Sequence, residues 1–127
     1  MKDSIFTKII KGEILCYKVY EDQHSIAFLD INPVQPGHTL VVCKQQVEFW
    51  WDLEDQQYLN LMQTVKKVGK RLKLITQKPY VGIKVIGVDV PHVHYHLIPF
   101  SSVDEFNAPP SQSDANQLAN WAKKLYF

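Results

Sequence analysis

Val90-Pro91-His92-Val93-His94-Tyr95-His96-Leu97-Ile98-Pro99 is the stretch on which the reading of this chain turns. Three of the five histidines fall there, at every second position. In a β-strand successive side chains point to opposite faces, so His92, His94 and His96 line one face while Val93, Tyr95 and Leu97 line the other. Rings two residues apart on a strand sit roughly 7 Å from one another. A packed core does not require a face of titratable rings, whereas a site that uses neutral or protonated imidazoles does. Periodicity leaves two chemistries open. An H-x-H pair with His38 or the third ring can hold Zn²⁺ with an open position. Alternatively an imidazole can attack an electrophile. The bland alternative is a solvated strand that happens to carry three histidines.

Working outward, residues 80–86 read as the preceding strand, Gly87 as a turn and residues 90–100 as the histidine strand. Pro36-Gly37 is a turn signal before a strand over 38–43, and Val19-Tyr20 and Ile26-Ala27-Phe28-Leu29 read as two more. Ser4 can cap a short helix whose apolar stripe is Phe6, Ile9 and Ile10, with Gly12 ending it. Tyr58, Leu61, Met62, Val65, Val68, Leu72 and Ile75 recur at steps of three or four, which predicts a long amphipathic helix capped by Asp52 or Asp55. Residues 101–110 read as a loop, and a last helix starts at Ser113 and carries Leu118, Trp121, Ala122 and Leu125. The order predicts an α+β fold, a five-stranded antiparallel sheet packed on one long helix. We expect a single domain over 1–127, with a core over 4–100 and a tail helix over 111–127.

The 127 residues carry a formal net charge of +1. That gives no global attraction to nucleic acid or to an anionic membrane, and no apolar run reaches the length of a membrane span. Lys66, Lys67, Lys70, Arg71 and Lys73 read as the solvated, dipole-matched end of the long helix. Cys16 and Cys43 are isolated, as free thiols in a reducing compartment are. Met1-Lys2-Asp3-Ser4 leads into an amphipathic segment and not an apolar signal region, so the expected location is cytoplasmic.

His92-Val93-His94-Tyr95-His96-Leu97-Ile98 matches the pattern His-φ-His-φ-His-φ-φ, with φ apolar. The chain resembles the histidine triad (HIT) superfamily of nucleotidyl hydrolases and transferases. Further segments share the resemblance: Ile5-Phe6 with Lys8-Ile9-Ile10 and Gly12-Glu13-Ile14, Ala27-Phe28-Leu29-Asp30-Ile31-Asn32-Pro33, and Pro36-Gly37-His38-Thr39-Leu40-Val41-Val42. It implies an enzyme in which His94 attacks the α-phosphorus of a purine nucleotide and forms a nucleotidyl-histidine. His96 would steady the α-phosphate, His92 would orient His94, and His38 would support the network. Asp30 would accept both ribose hydroxyls, and Phe6, Ile9, Phe28 and Ile31 would surround the base. The substrate class implied is a nucleoside phosphoramidate or a dinucleoside polyphosphate, with no cofactor. The family also implies a homodimer, which would cover the apolar edge that residues 80–86 otherwise expose.

The chain departs from the family at two places. Many members hold a structural zinc through an N-terminal C-x-x-C and downstream histidines. Here the two cysteine positions are Ser4 and Thr7 and a histidine position is Gln46, so no structural metal is expected. Before the triad, the usual Gly-Gln-Ser/Thr-Val run is replaced by the shorter Gly87-Val88-Asp89-Val90-Pro91. Gly87 can still offer a backbone N–H to a phosphate. An ionised Asp89 only accepts hydrogen bonds and would repel phosphate oxygens, so it would favour a cationic leaving group such as an amine.

Overall fold

A computed structural model describes residues 2–127; Met1, the first residue of the amphipathic lead-in, lies outside them. The order is α1 (Ile5–Ile10), β1 (Lys18–Glu21), β2 (Ser25–Leu29), β3 (Thr39–Cys43), α2 (Asp55–Thr76), β4 (Tyr80–Lys84), β5 (His94–Phe100), α3 (Val103–Phe106) and α4 (Ala115–Leu125). The strands form one five-stranded sheet in the order β1-β2-β3-β5-β4, with every neighbour antiparallel. This is the α+β architecture expected from the element order. None of the described helices is long and apolar enough to cross a membrane.

Strand parity divides the core in two. Ala27, Leu29, Val41, Cys43, Tyr95 and Leu97 pack on Leu61, Val65, Val68 and Leu72 of α2 and on Leu118 and Leu125 of α4. Ile26, Phe28, Leu40 and Val42, on the other face, pack under Phe6 of α1. The β3–β5 register sets Leu40 opposite His96 and Val42 opposite His94, so these two histidines share the α1 face.

Four local differences from the sequence reading have physical causes. The histidine strand begins at His94 and not at residue 90. Pro91 has no N–H to give a ladder, His92 N–H closes a turn onto the Val90 carbonyl at 2.8 Å, and Val93 N–H goes to the Val47 carbonyl at 2.8 Å. The cap of α2 is Glu54, whose N–H donates to Gln57 Oε1 at 3.0 Å, and neither Asp52 nor Asp55 holds that position. The segment read as a loop contains α3, capped by Ser102, which is too short to show a period. Finally α4 is capped by Asp114, which accepts the Gln117 N–H at 2.8 Å, one residue after Ser113. The basic run is not only solvated: Arg71 donates to the carbonyls of Leu125, Lys124 and Tyr126, tying down the C-terminal end of α4.

Candidate active site

A cleft of about 610 Å³ opens on the α1 face of the sheet. Of the residues picked out from the sequence, His94, His96, His38, Asp30, Phe6, Ile9, Phe28, Ile31, Gly87 and Asp89 line it. His92 does not. Its ring is fully buried behind Phe6, 5.9 Å between centroids.

His92 nevertheless reaches His94 through its backbone. His94 Nδ1 lies 2.7 Å from the His92 carbonyl. A carbonyl only accepts, so Nδ1 carries the proton; Nε2 has no protein partner among the described residues, and in the neutral ring it holds the lone pair. Phe6 stands edge-on to the His94 ring at 4.8 Å and to Phe28 at 5.6 Å, which fixes the ring from the α1 side. The tight turn before β5 thus places a carbonyl where a strand would have placed a third imidazole.

The tautomers of His38 and His96 follow in the same way. Val34 N–H donates to His38 Nδ1 at 3.0 Å, so the His38 proton sits on Nε2. Nε2–H donates to His96 Nδ1 at 3.0 Å, and the His96 proton is then on Nε2. Both rings are neutral at pH 7. Burial pushes His38 down to about 3 and His96 down to about 4, with the neighbouring imidazoles and Lys84 acting in the same direction. Asp30 Oδ2 lies 3.6 Å from His38 Nε2 and 3.9 Å from His96 Nδ1; with neutral rings these are polar contacts and not ion pairs. Burial also raises the Asp30 carboxyl above its ordinary value, against the Asn32 N–H that donates to Oδ1 at 2.9 Å. A half-buried carboxylate with one oxygen committed is poised for an outside donor.

Asp30, His38 and His96 offer three ligand atoms within 4.8 Å, which suggests a cation site. The donor set does not suit one. The proton on His38 Nε2 occupies the lone pair a metal needs, and shifting it to Nδ1 would set two N–H groups against each other at Val34.

A second cluster lies behind the cleft. Ser4 Oγ is 2.7 Å from His92 Nδ1, Thr7 Oγ1 is 3.3 Å from the same atom, and Gln46 Oε1 accepts from Ser4 N–H at 2.8 Å and from Thr7 Oγ1 at 2.6 Å. His92 Nε2 bonds the Cys43 carbonyl, so Nε2 carries the proton, Nδ1 accepts and Ser4 Oγ–H donates. Ser4 Oγ also accepts Thr7 N–H at 3.0 Å, capping α1. These are the positions at which the resemblance puts zinc ligands. Neutral hydroxyls and an amide lack the charge and softness zinc takes, and they are already committed to one another.

Sequence reasoning missed Lys84, which lines the cleft from β4 directly opposite His96 in the register. Its signal was a lone charge inside the apolar run Val81-Gly82-Ile83-Lys84-Val85-Ile86. Asp89 lies exposed at the rim, and Gly87, with φ of +75°, takes a backbone form that favours glycine.

Comparison with known proteins bears on the fold and the family. A "Hit-like protein" of Bartonella henselae superposes with a TM-score of 0.85 and 30% identity, over 97% of this chain and 94% of that one. An "Uncharacterized HIT-like protein" of Borreliella burgdorferi is 41% identical over 113 residues, 84% of this chain and 81% of that protein. The "Adenosine 5'-monophosphoramidase HNT1" of Saccharomyces cerevisiae is 35% identical over 127 residues, 95% of this chain and 79% of that protein. Residues 11–103 match the HIT domain, and the chain belongs to the histidine triad (HIT) family.

Proposed function

We propose that this protein cleaves nucleoside phosphoramidates or dinucleoside polyphosphates at the α-phosphate, through a nucleotidyl-His94 intermediate. The observation that carries the proposal is the state of His94: its Nδ1–H is held by the His92 carbonyl, leaving the Nε2 lone pair in a cleft that also contains Asp30. The similarity to a yeast adenosine 5'-monophosphoramidase favours the phosphoramidate class. In the first step the Nε2 lone pair forms the N–P bond while the P–N or P–O bond breaks, its electron pair leaving with the amine, which takes a proton from solvent, or with the phosphate or nucleotide. His96 Nε2–H hydrogen-bonds the phosphoryl oxygen as charge builds. Water then forms a new P–O bond and gives up a proton to solvent, His94 leaves with the electrons of the N–P bond, and a nucleoside monophosphate departs. Asp30 accepts the ribose hydroxyls, while Phe6, Ile9, Phe28 and Ile31 enclose a purine. No metal is needed for these steps, and the donor sets around His38 and His92 do not suit one.

Acid quenching of a single turnover with adenosine 5'-phosphoramidate tests this. The expected result is a nucleotidyl-protein that His94→Ala abolishes. Tight nucleotide binding without turnover would instead make the chain a nucleotide-binding protein with lost catalysis, and activity removed by chelator and restored by Zn²⁺ would refute the metal-free route.

We further propose a homodimer. β4 has one unpaired edge among the described residues, Tyr80 and Ile83 on it are more than half exposed, and a groove lined by Met62, Val65, Val81 and Ile83, with Lys66, Lys70 and Lys73 also on it, runs between β4 and α2. Light scattering at micromolar concentration should give twice the 14.7 kDa chain mass; a monomer refutes it. The free thiols Cys16 and Cys43 fit a cytoplasmic setting.

A further inference from the structure

A cleft for nucleotides must counter phosphate charge, and this one is short of cations. Among the described lining residues there are two carboxylates, Asp30 and Asp89, and one lysine or arginine, Lys84. His38 and His96 do not make up the deficit, because both are neutral at pH 7. His96 Nε2–H and the Gly87 N–H can hydrogen-bond a phosphate oxygen but bring no net charge.

Lys84 is placed to supply it. Directly paired residues of antiparallel strands share a face with Cβ atoms roughly 5 Å apart. Lys84 is paired in this way with His96, so its stem rises beside the ring assigned to the phosphate. The ammonium donates to the Phe106 carbonyl at 3.2 Å and lies 4.6 Å from the centre of the Phe106 ring. Those contacts use one of its three N–H donors and hold the side chain in one orientation. No carboxylate lies within ion-pair distance of Lys84 among the described residues. It is a half-buried cation, oriented by α3, with no counter-ion.

We propose that Lys84 Nζ is the phosphate-binding cation of the cleft, donating to a non-bridging oxygen of the nucleotide α-phosphate, with α3 aiming it through Phe106. The assignment rests on the nucleotide reading of the cleft. It gives α3 a part in the site, and it offsets Asp89, which lines the same cleft. Lysine suits the task as a compact point charge on a flexible stem.

Calorimetric titration of wild type, Lys84→Met and Lys84→Arg with AMP and with adenosine tests it. AMP and adenosine differ only in the phosphate, so a contact to phosphate shows in one ligand and not the other. Lys84→Met should weaken AMP about tenfold to a hundredfold, the range of a charge-assisted hydrogen bond, and adenosine by less than about twofold. Lys84→Arg should recover most of the AMP affinity. Added salt should weaken AMP binding to wild type and have much less effect on the methionine variant. Equal losses for the two ligands would mean that Lys84 only holds α3, and would overturn the assignment. AMP bound equally by wild type and Lys84→Met overturns it while leaving the nucleotide cleft standing. Wild type that binds neither ligand refutes the cleft reading and the assignment together.

Discussion

Replacing Ser4 by alanine isolates the polar cluster behind the histidine strand. The Ser4 hydroxyl has two roles: Oγ accepts Thr7 N–H at 3.0 Å as the cap of α1, and its O–H donates to His92 Nδ1 at 2.7 Å. Loss of a serine cap costs about 1 kcal/mol. Leaving a buried acceptor unpaired costs about 1–3 kcal/mol more, and His92 has no solvent exposure to relieve it. Thr7 Oγ1, 3.3 Å from Nδ1, can take over only by releasing Gln46 Oε1, so one bond is exchanged for another. The expected total is about 2–4 kcal/mol. Ser4→Gly separates the roles, since glycine is nearly as good a cap and removes the same donor; its loss should be about 1–3 kcal/mol. Ser4→Thr keeps the hydroxyl and should stay within about 1 kcal/mol of wild type. Urea unfolding followed by circular dichroism measures these differences from the midpoints at constant m-value. In a chain already carrying His92→Leu, Ser4→Ala should lose only the cap, a coupling of about 1–3 kcal/mol between the two sites. Zero coupling, or Ser4→Ala costing no more than Ser4→Thr, would show that the Ser4–His92 bond contributes nothing.

Acid should destabilise the fold early. His38, His92 and His96 are all held below the free-histidine value by burial, so the unfolded chain takes up protons that the folded one refuses as pH falls. The stability from their neutral forms is fully present above about pH 6.5 and drains toward pH 4, by up to about 1.4 kcal/mol per pH unit for each ring; urea midpoints unchanged between pH 7 and 5 would contradict this. Asp30→Asn should weaken AMP about tenfold or more while the melting temperature does not fall, because the substitution removes a carboxylate that burial already disfavours. A drop in melting temperature with full AMP affinity would reverse the roles given to Asp30. Gly82→Ala should cost about 1–3 kcal/mol in urea, since a Cβ there overlaps the Phe106 ring, and it should also lower AMP affinity more than adenosine affinity by displacing the Lys84 support.

The sequence carried its information where the physics is local. Period-two alternation put His94 and His96 on one face, and three-to-four spacing marked α2 and α4, because a strand or helix repeats side-chain direction without reference to the rest of the chain. Ser4 as a cap and Gly12 and Gly37 as turns were legible for the same reason. Alternation failed at His92, where Pro91 and the turn onto the Val90 carbonyl interrupt the strand and the Val93 N–H goes to Val47, more than forty residues away. It also could not supply α3, four residues long, or the choice of Glu54 over two nearby aspartates, which the Gln57 side chain decides.

What the sequence by itself determined is a face of imidazoles on an antiparallel strand, with Asp30 and an apolar helix as candidate neighbours. The tertiary structure decided their chemistry. Which nitrogen of His94, His96 or His38 holds a proton depends on the partner at the other nitrogen. Those partners are the carbonyl of His92, the ring of His38 and the N–H of Val34, brought together by the β3–β5 pairing and the turns beside it. The cation of the cleft was hidden for the same reason. A lysine in an apolar strand becomes a neighbour of His96 only when β4 pairs with β5, and it acquires an orientation only when α3 folds over it.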